Sequence, residues 1–353
     1  MLHLLKECNY RPLLVEGVWD YQGETDRYGY PAVQEKVRDP IAGGLFRYAL
    51  RAGDTIRRLA RLCRSHHIKV INAHFPGTEV ITFLLLRRWC GFKVILSFHG
   101  SDIRDGLRST GLKRAACRWM LRTADAVVPC SHGLLEEIRM LEPRLRKVVV
   151  IQNGIDPLPA EGEPAIRRED GTEVVVTVGR FEERKGHDIL LAAFRRVLER
   201  RPKARLWILG GEGPALESTR AQAAELGDRV SVLVNVPHGQ IAATLRQADV
   251  FAFSSRWRKG EMGEGLAIAL LEAGSLGLPV VTTRCCGAEE AVEDGVTGLL
   301  VNLEDEAALA RGMEDLLEDG EKRQRMGAAL RERVLRDFRW DRAWKQYREA
   351  AEA

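Results

Sequence analysis

"ADVFAFSSRWRKGEMGEGLAIALLEAGSLGLPVVTTR", residues 248–284, decides how the chain folds. It opens on the apolar run "ADVFAFSS" (248–255), closes on "PVVTTR" (279–284), and sets the helical pattern "LAIALLEAGSLG" between them. Two strands joined through a helix pair in parallel, because the crossover returns the chain to the same end of the sheet. Gly277 and Pro279 are stop signals, which predicts a helix over 266–277. Glu264 then stands at the junction of the loop "RWRKGEMGEG" with the helix, and Glu272 about two turns in, roughly 12 Å along the axis. Acids that far apart cannot share a metal ion or a proton. They can accept hydroxyl hydrogen bonds from opposite ends of an elongated polyhydroxylated ligand. The helix start between them offers free N–H groups and partial positive charge to a phosphate.

The same alternation runs through the whole chain and predicts an α/β protein of two doubly wound domains. In the first half the expected strands are "RPLLVEG" (11–17), "IKVINAH" (68–74), "KVILSFHG" (93–100), "ADAVVPCS" (124–131) and "KVVVIQNG" (147–154). In the second they are "EVVVTVGR" (173–180), "ARLWILGG" (204–211), "VSVLVN" (230–235), the two runs already quoted, and "GLLVN" (298–302). The stretch "GIDPLPAEGEPAIRREDG" (154–171), rich in Pro, Gly and charge, reads as a linker. The expected division is therefore 1–154, a linker 155–171, a second domain 172–336, and a terminal helix 337–353. Such sheets bind ligands beyond the carboxyl ends of their strands.

Two strand-end loops carry the pattern that this rule asks for. "VGRFEERKG" (178–186) presents Gly179, Arg180 and Lys185 just before a helix expected near His187. Two cations beside a helix start form an anion site, each charge-assisted contact contributing about 1.5–3 kcal/mol. "ILGGEGPALE" (208–217) turns from strand to helix through Gly211, which invites a dinucleotide reading. That reading fails: a G-x-G-x-x-G start at Gly211 needs glycine at 216, where Leu216 stands, and no acid closes a strand some 20 residues on. These glycines serve backbone approach to a ligand or a tight turn.

The charge is uneven. Residues 1–156 hold 25 Lys and Arg against 16 Asp and Glu, the remaining 197 hold 29 against 34, so the basic half is the one expected to meet an anionic partner. No stacking pattern of basic and aromatic residues and no nucleic-acid signature accompanies it, so nucleic acid is not the expected partner. An anionic membrane surface fits better, because "IRDGLRSTGLKRAACRWMLRTAD" (103–125) alternates cations with Leu, Trp and Met as an interfacial helix would. A solvated helix face is the plain alternative. No apolar run reaches the roughly 20 residues of a bilayer span, and the amino end lacks the pattern of a secretory signal, which predicts a cytoplasmic protein. Seven scattered cysteines without C-x-x-C spacing predict reduced thiols and neither a disulfide frame nor a zinc site.

Taken together, the E-x7-E pair of Glu264 and Glu272 inside "EGLAIALLEAGSLGLPVV" resembles the donor-site signature of the retaining family-4 glycosyltransferases of the GT-B fold. The likeness continues in "VGRFEERKG", "LGGEGP", "ADVFAFSS", "AEEAVEDGVTGLLV" (288–301), "NGID" (153–156) and "HGSD" (99–102). It implies two Rossmann-like domains facing across a cleft, the first on the acceptor side, the second holding a nucleotide-diphosphate sugar. The residue matching Glu264 contacts donor-sugar hydroxyls, and Glu272 takes the ribose. Arg180 and Lys185 match the cations on the diphosphate, joined by backbone amides near Leu266, Ala267 and Ile268. The loop "LVNVPHGQI" (233–241), with Val236, matches the one beside the base, and His99 matches a histidine that reaches the transferred sugar. His74 either lines the acceptor side or is a structural histidine at a strand end.

The resemblance further implies same-face attack by a glycan or lipid-linked acceptor in polysaccharide or cell-envelope glycan assembly. No D-x-D motif or metal-ligand cluster lies near these loops, so cations and helix dipole are expected in place of a divalent metal, with no cofactor. The chain departs from the family at its amino end, where the usual first strand and glycine-rich loop are expected to be missing, and at "CCGAEE" (285–290), where Cys286 and Glu289 replace a glycine and a proline. A nucleotide-sugar epimerase of the same fold and a truncated, non-catalytic donor-binding protein are the alternatives.

Overall fold

The structure, a computed structural model, describes residues 14–16, 32–34, 41, 45–156, 158, 161–285 and 287–352. The amino-terminal stretch on which the missing first strand was expected, together with Cys8 and Cys286, lies outside the described residues. The chain forms two compact units, Met1–Gly154 with Trp340–Ala353, and Ile155–Arg339.

In the first unit β1 (Leu14–Glu16) and β2 (Ala32–Gln34) pair in parallel, and helix α1 (Leu45–Ser65) follows. A second parallel sheet then runs β3 (Val70–His74), β4 (Lys93–Phe98), β5 (Ala126–Pro129) in spatial order. Its connections are α2 (Ile81–Cys90), α3 (Ser101–Arg108) and α4 (Gly111–Thr123), and α5 (His132–Leu141) follows β5. β5 is buried throughout and β4 almost so, as parallel strands covered on both faces must be. Two expectations change here. "KVVVIQNG" is no full strand: Val148 forms an isolated bridge to Val127, and the amides of Val149 and Ile151 bond to the carbonyls of Val127 and Pro129. The expected single helix over 103–125 is two, broken at Ser109 and Thr110, whose extended backbone cannot continue a helix. The break also takes Arg104 out of any basic surface, because its guanidinium is buried against Glu137 of α5.

In the second unit β6 (Glu173–Val178), β7 (Ala204–Gly210) and β8 (Val230–Val234) alternate with α6 (His187–Arg200), α7 (Leu216–Ala224) and α8 (His238–Leu245). Then come β9 (Val250–Phe253), α9 (Ile268–Ser275), β10 (Val280–Thr283), α10 (Ala288–Ala291) and β11 (Leu299–Val301). The helices α11 (Glu306–Glu318) and α12 (Gly320–Asp337) close the unit. All six strands are parallel, in the order β11-β10-β9-β6-β7-β8. The chain thus winds outward from β6 through β7 and β8, then crosses back and winds the other way from β9. β6 and β9 lie at the point where the order reverses, and the loops at their carboxyl ends diverge to leave a crevice there. The core under them packs Ile189, Leu190, Phe194 and Val197 of α6 against Leu206 and Ile208 of β7 and Met313 and Leu316 of α11. Each such side chain contributes about 1.5–3 kcal/mol on full burial, which makes the sheet a rigid base for its loops.

The stretch 155–171 is fastened to this second unit where it is described. The Ile155 amide bonds to the Phe338 carbonyl, the Ala165 amide to Thr244 Oγ1 at 2.9 Å, and the Arg168 amide to Gln247 Oε1 at 2.7 Å. The last helix, α13 (Trp340–Glu352), belongs to the first unit, where Ala343 and Tyr347 pack on Ile95, Ala126, Val128 and Ile151.

Candidate active site

The crevice of the second unit is built from the loops after β6 and β9. After β6 the chain turns through a short 3-10 turn, Glu183–Lys185, and Gly186 at φ +61°. A Cβ at Gly186 would sit 2.2 Å from the Ser254 carbonyl oxygen, so only glycine lets the two loops meet. Ser254, just past β9, donates its hydroxyl to the Gly186 carbonyl at 2.7 Å, and the Arg256 amide bonds to the Arg184 carbonyl. Arg256 also grips Asp188, at the start of α6, through two bonds of 2.8 and 2.7 Å. That paired guanidinium holds the Asp188 carboxyl below its usual range although burial pushes the other way.

This lacing brings Glu264 onto the cations of the other loop. Its Oε1 lies 2.6 Å from Arg184 Nη1 and 2.9 Å from Lys185 Nζ, and the residue is only 7% exposed. Lys185 Nζ also stands 5.2 Å from the centre of the Phe253 ring, a cation–π contact on the floor of the crevice. Its aliphatic stem runs past Gly179, where an added Cβ would come within 3.2 Å of Lys185 Cδ. Arg184 is a site residue that the sequence reading missed, although its charge stood beside Lys185 in "EERKG". Arg180, expected to act with Lys185, is not drawn into the cluster: it is exposed and pairs with Glu182 at 3.2 Å. Its stem instead borders Gly211, whose added Cβ would lie 3.7 Å from Arg180 Cγ and 3.9 Å from Asn235 Oδ1.

The helix of the opening stretch begins later and ends sooner than expected. α9 spans Ile268–Ser275, so Glu272 is its fifth residue, one turn in and not two, and the 12 Å axial spacing drawn from a continuous helix does not hold. Leu266 and Ala267 are buried in the approach and not helical; Ala267 is the N-cap, at φ −77° and ψ 95°. Gly287, at φ +82°, explains the delay, because a Cβ there would meet the Gly265 carbonyl oxygen at 2.4 Å, and this close packing fixes 265–266 in a loop. The amides of Leu266, Ala267, Ile268 and Ala269 find no acceptor among the described residues, as expected where a helix starts. Glu272 is half-buried, and no described residue bonds to its carboxylate. Burial raises its pKa, against the pull of His238 at the start of α8. His238 follows the loop that carries Val236, which leaves Asn235 (φ +55°) bonded back to Glu212 beyond β7.

His99 belongs to the first unit, in the turn after β4. Its Nε2 lies 2.9 Å from Nδ1 of His74, at the end of β3, and the Phe75 ring centre is 4.5 Å away. Phe75 holds φ +52°, a costly conformation for a bulky residue. The Asp102 carboxylate accepts the amides of His99 and Gly100 at 2.9 and 2.8 Å and so fixes the turn. Burial, then the neighbouring His74, pushes the His99 pKa down to about 4. His74, for which two roles stood open, is therefore a direct partner of His99. Among the described residues no group of three His, Cys, Asp or Glu is placed to hold a metal ion.

Known proteins resemble the chain over both units. The family described as "Glycosyl transferases group 1" matches residues 161–333, and "Glycosyltransferase Family 4" matches 18–157. A GDP-mannose-dependent alpha-(1-6)-phosphatidylinositol monomannoside mannosyltransferase of Mycolicibacterium smegmatis is 30% identical over 335 residues, 92% of this chain and 85% of that protein. A glycogen synthase of Mycobacterium tuberculosis is 29% identical over 300 residues, 82% of this chain and 70% of that one. Among solved structures, sucrose-phosphate synthase from Thermosynechococcus elongatus superposes with a TM-score of 0.75 at 20% identity, covering 98% of this chain and 89% of that one. HepE of Anabaena, in complex with UDP and glucose, gives 0.68 at 19% identity over 92% and 86% of the two chains. At such identities the structures speak for the fold alone, while the sequence matches identify the lineage: the chain belongs to the family-4 glycosyltransferases, enzymes of the GT-B fold.

Proposed function

We propose that the protein is a retaining glycosyltransferase that moves a sugar from a nucleotide-diphosphate donor to a glycan or lipid-linked acceptor of the cell envelope. The carrying observation is the buried carboxylate of Glu264, held by Arg184 and Lys185 beside the free amides at the start of α9. In this reading Lys185, Arg180 and the amides of Leu266, Ala267 and Ile268 neutralise the diphosphate, where charge grows as the nucleotide leaves. Glu264 takes sugar hydroxyls through Oε2, the oxygen that neither cation occupies. Glu272, to whose carboxylate no described residue hydrogen bonds, accepts the ribose hydroxyls, and Gly179, Gly211 and Val236 give the nucleotide its backbone walls. His99 hydrogen bonds to the transferred sugar. The acceptor oxygen attacks the anomeric carbon on the face that the nucleotide leaves; a phosphate oxygen takes the acceptor proton as the carbon–oxygen bond to the diphosphate breaks. The donor class is supported by the relative named for GDP-mannose and by the neighbour solved with UDP and glucose.

The direct test is thermal shift with UDP-, GDP- and ADP-sugars, each with and without EDTA. One donor present at a hundred times its Kd is expected to stabilise the enzyme by about 2.7 kcal/mol, with the same shift in EDTA. A shift that EDTA abolishes, or none with any sugar nucleotide, overturns the reading.

The same proposal places the enzyme at an anionic membrane surface. No helix among the described residues is long and apolar enough to cross a bilayer. In the first unit, however, Trp89 is 71% and Leu112 55% exposed, with Leu85 and Trp119 also exposed on the same two helices, α2 and α4. Exposed Arg88 and Lys113 adjoin them in sequence. Aromatic and aliphatic tips among cations suit the headgroup boundary. Co-sedimentation with vesicles rich in phosphatidylglycerol is expected to fall several-fold for Trp89→Ala; equal sedimentation with neutral vesicles would count against the surface.

A further inference from the structure

His99 ends a chain of hydrogen bonds that crosses the first unit. Ser97 of β4 donates its hydroxyl to Asn72 Oδ1 of β3 at 2.6 Å. Asn72 Nδ2 is 3.2 Å from His74 Nε2, and His74 Nδ1 is 2.9 Å from His99 Nε2. At the far end Tyr347 of α13 hydrogen bonds to the side chains of both Ser97 and Asn72. The two imidazole planes differ by 19° with centres 5.2 Å apart. That separation equals one 2.9 Å bond plus the two ring radii, so the rings meet edge to edge in a common plane and are not stacked face to face.

We propose that His74, set by Asn72, Ser97 and Tyr347, is a positioning residue that fixes His99 as its Nδ1–H tautomer, so that His99 meets the donor sugar as a hydrogen-bond donor. The inference rests on the reading that His99 touches that sugar. Its logic is a count of hydrogens. Asn72 turns Oδ1 to the Ser97 hydroxyl and Nδ2 to His74, and because an amide nitrogen only donates, His74 Nε2 must accept. A neutral His74 then carries its one proton on Nδ1 and donates it to His99 Nε2. His99 Nε2 is thereby an acceptor, and its own proton is left on Nδ1, which no described residue takes. Burial holds His74 below its ordinary pKa, and burial with the neighbouring His74 holds His99 down to about 4, which keeps both rings neutral at pH 7. Tyr347, pushed up to about 12 by burial, keeps its proton for the far end of the chain.

A neutral imidazole with a pinned tautomer gives the sugar a donor of fixed direction without a charge to desolvate. An unpinned ring would divide between two tautomers, only one of which presents N–H at that place. The register explains how the relay forms: His74 of β3 lies opposite Ser97 of β4, which puts His99 two residues beyond the pair and Asn72 two residues before it.

The test is two-bond proton–nitrogen NMR on the full chain labelled with 15N-histidine at pH 7, without substrate. The wild type is expected to show His99 protonated at Nδ1 and bare at Nε2. His74→Phe keeps a ring in place but removes both bonds, and should move His99 toward the Nε2–H form that an unconstrained histidine side chain favours. Asn72→Leu, which retains His74, should shift it the same way. With the sugar nucleotide chosen by thermal shift, kcat should fall roughly tenfold in either variant, the worth of one hydrogen bond, with donor KM nearly unchanged. An Nε2–H signal for His99 in the wild type, or an unchanged tautomer in both variants, overturns the proposal. Full transfer by His99→Ala would instead remove the sugar contact on which it rests, while leaving the NMR result to stand or fall by itself.

Discussion

Lys185→Ala is expected to lower the rate of sugar transfer by about 10²–10³-fold, the range seen when one preorganised donor to a developing charge is lost. Lys185 is 12% exposed at its side chain, rests on the Phe253 ring and lies 2.9 Å from Glu264. A cation held in so dry a place acts on a phosphate far more strongly than one in water. Alanine removes that charge, yet Glu264 keeps its 2.6 Å bond to Arg184, so the fold and the carboxylate's place are expected to persist. Glu264→Gln should lose a comparable factor for a different reason: the amide still fills the site but no longer holds two cations on one oxygen. Because the two residues share one contact, the double variant should lose much less than the product of the single losses. Steady-state kinetics on the three variants decide the matter, and a Lys185→Ala enzyme within about threefold of wild type would refute the assignment of the diphosphate site.

The alternation of apolar runs and helical patterns was enough to read two parallel α/β units, because buried parallel strands are nearly continuous in Val, Ile and Phe. The strand order was not legible, since nothing local in "EVVVTV" or "VFAF" says that they are neighbours. Yet that adjacency is what brings Lys185 to Glu264. The start of α9 was misplaced for a related reason: Leu266 and Ala267 are apolar because Gly287 packs on the backbone beside them, and apolar periodicity cannot distinguish a buried loop from a helix turn. Arg184 was overlooked because the sequence does not say which cations of "GRFEERKG" turn inward; the 3-10 turn Glu183–Lys185 and the left-handed Gly186 decide it. His74 and His99 are 25 residues apart and became partners only through the register of β3 on β4.

Arg104 shows the opposite error, a charge read at a surface and found in a core, and it carries the largest effect expected on stability. Its guanidinium is ion-paired to Glu137, Nη2 donating to Oε1 at 3.0 Å with Nε 2.9 Å from Oε2, and the side chains are 4% and 0% exposed. Taking both ions from water costs several kcal/mol apiece, which their mutual attraction offsets only while both remain. Glu137→Ala takes the paired carboxylate away from a buried guanidinium and is expected to cost about 3–5 kcal/mol. Replacing both, as Arg104→Met with Glu137→Leu, removes the two desolvation costs together and should leave stability within about 1 kcal/mol of wild type or above it. The pair joins α3 to α5, and α3 carries Asp102, whose carboxylate holds the His99 turn. The single variant should therefore loosen that turn before the chain unfolds, visible as faster amide exchange at His99 and Gly100, while the double variant keeps wild-type protection. Urea midpoints of the three proteins measure the energies. A Glu137→Ala protein as stable as its parent, or a double variant as damaged as the single, would refute this account of the pair.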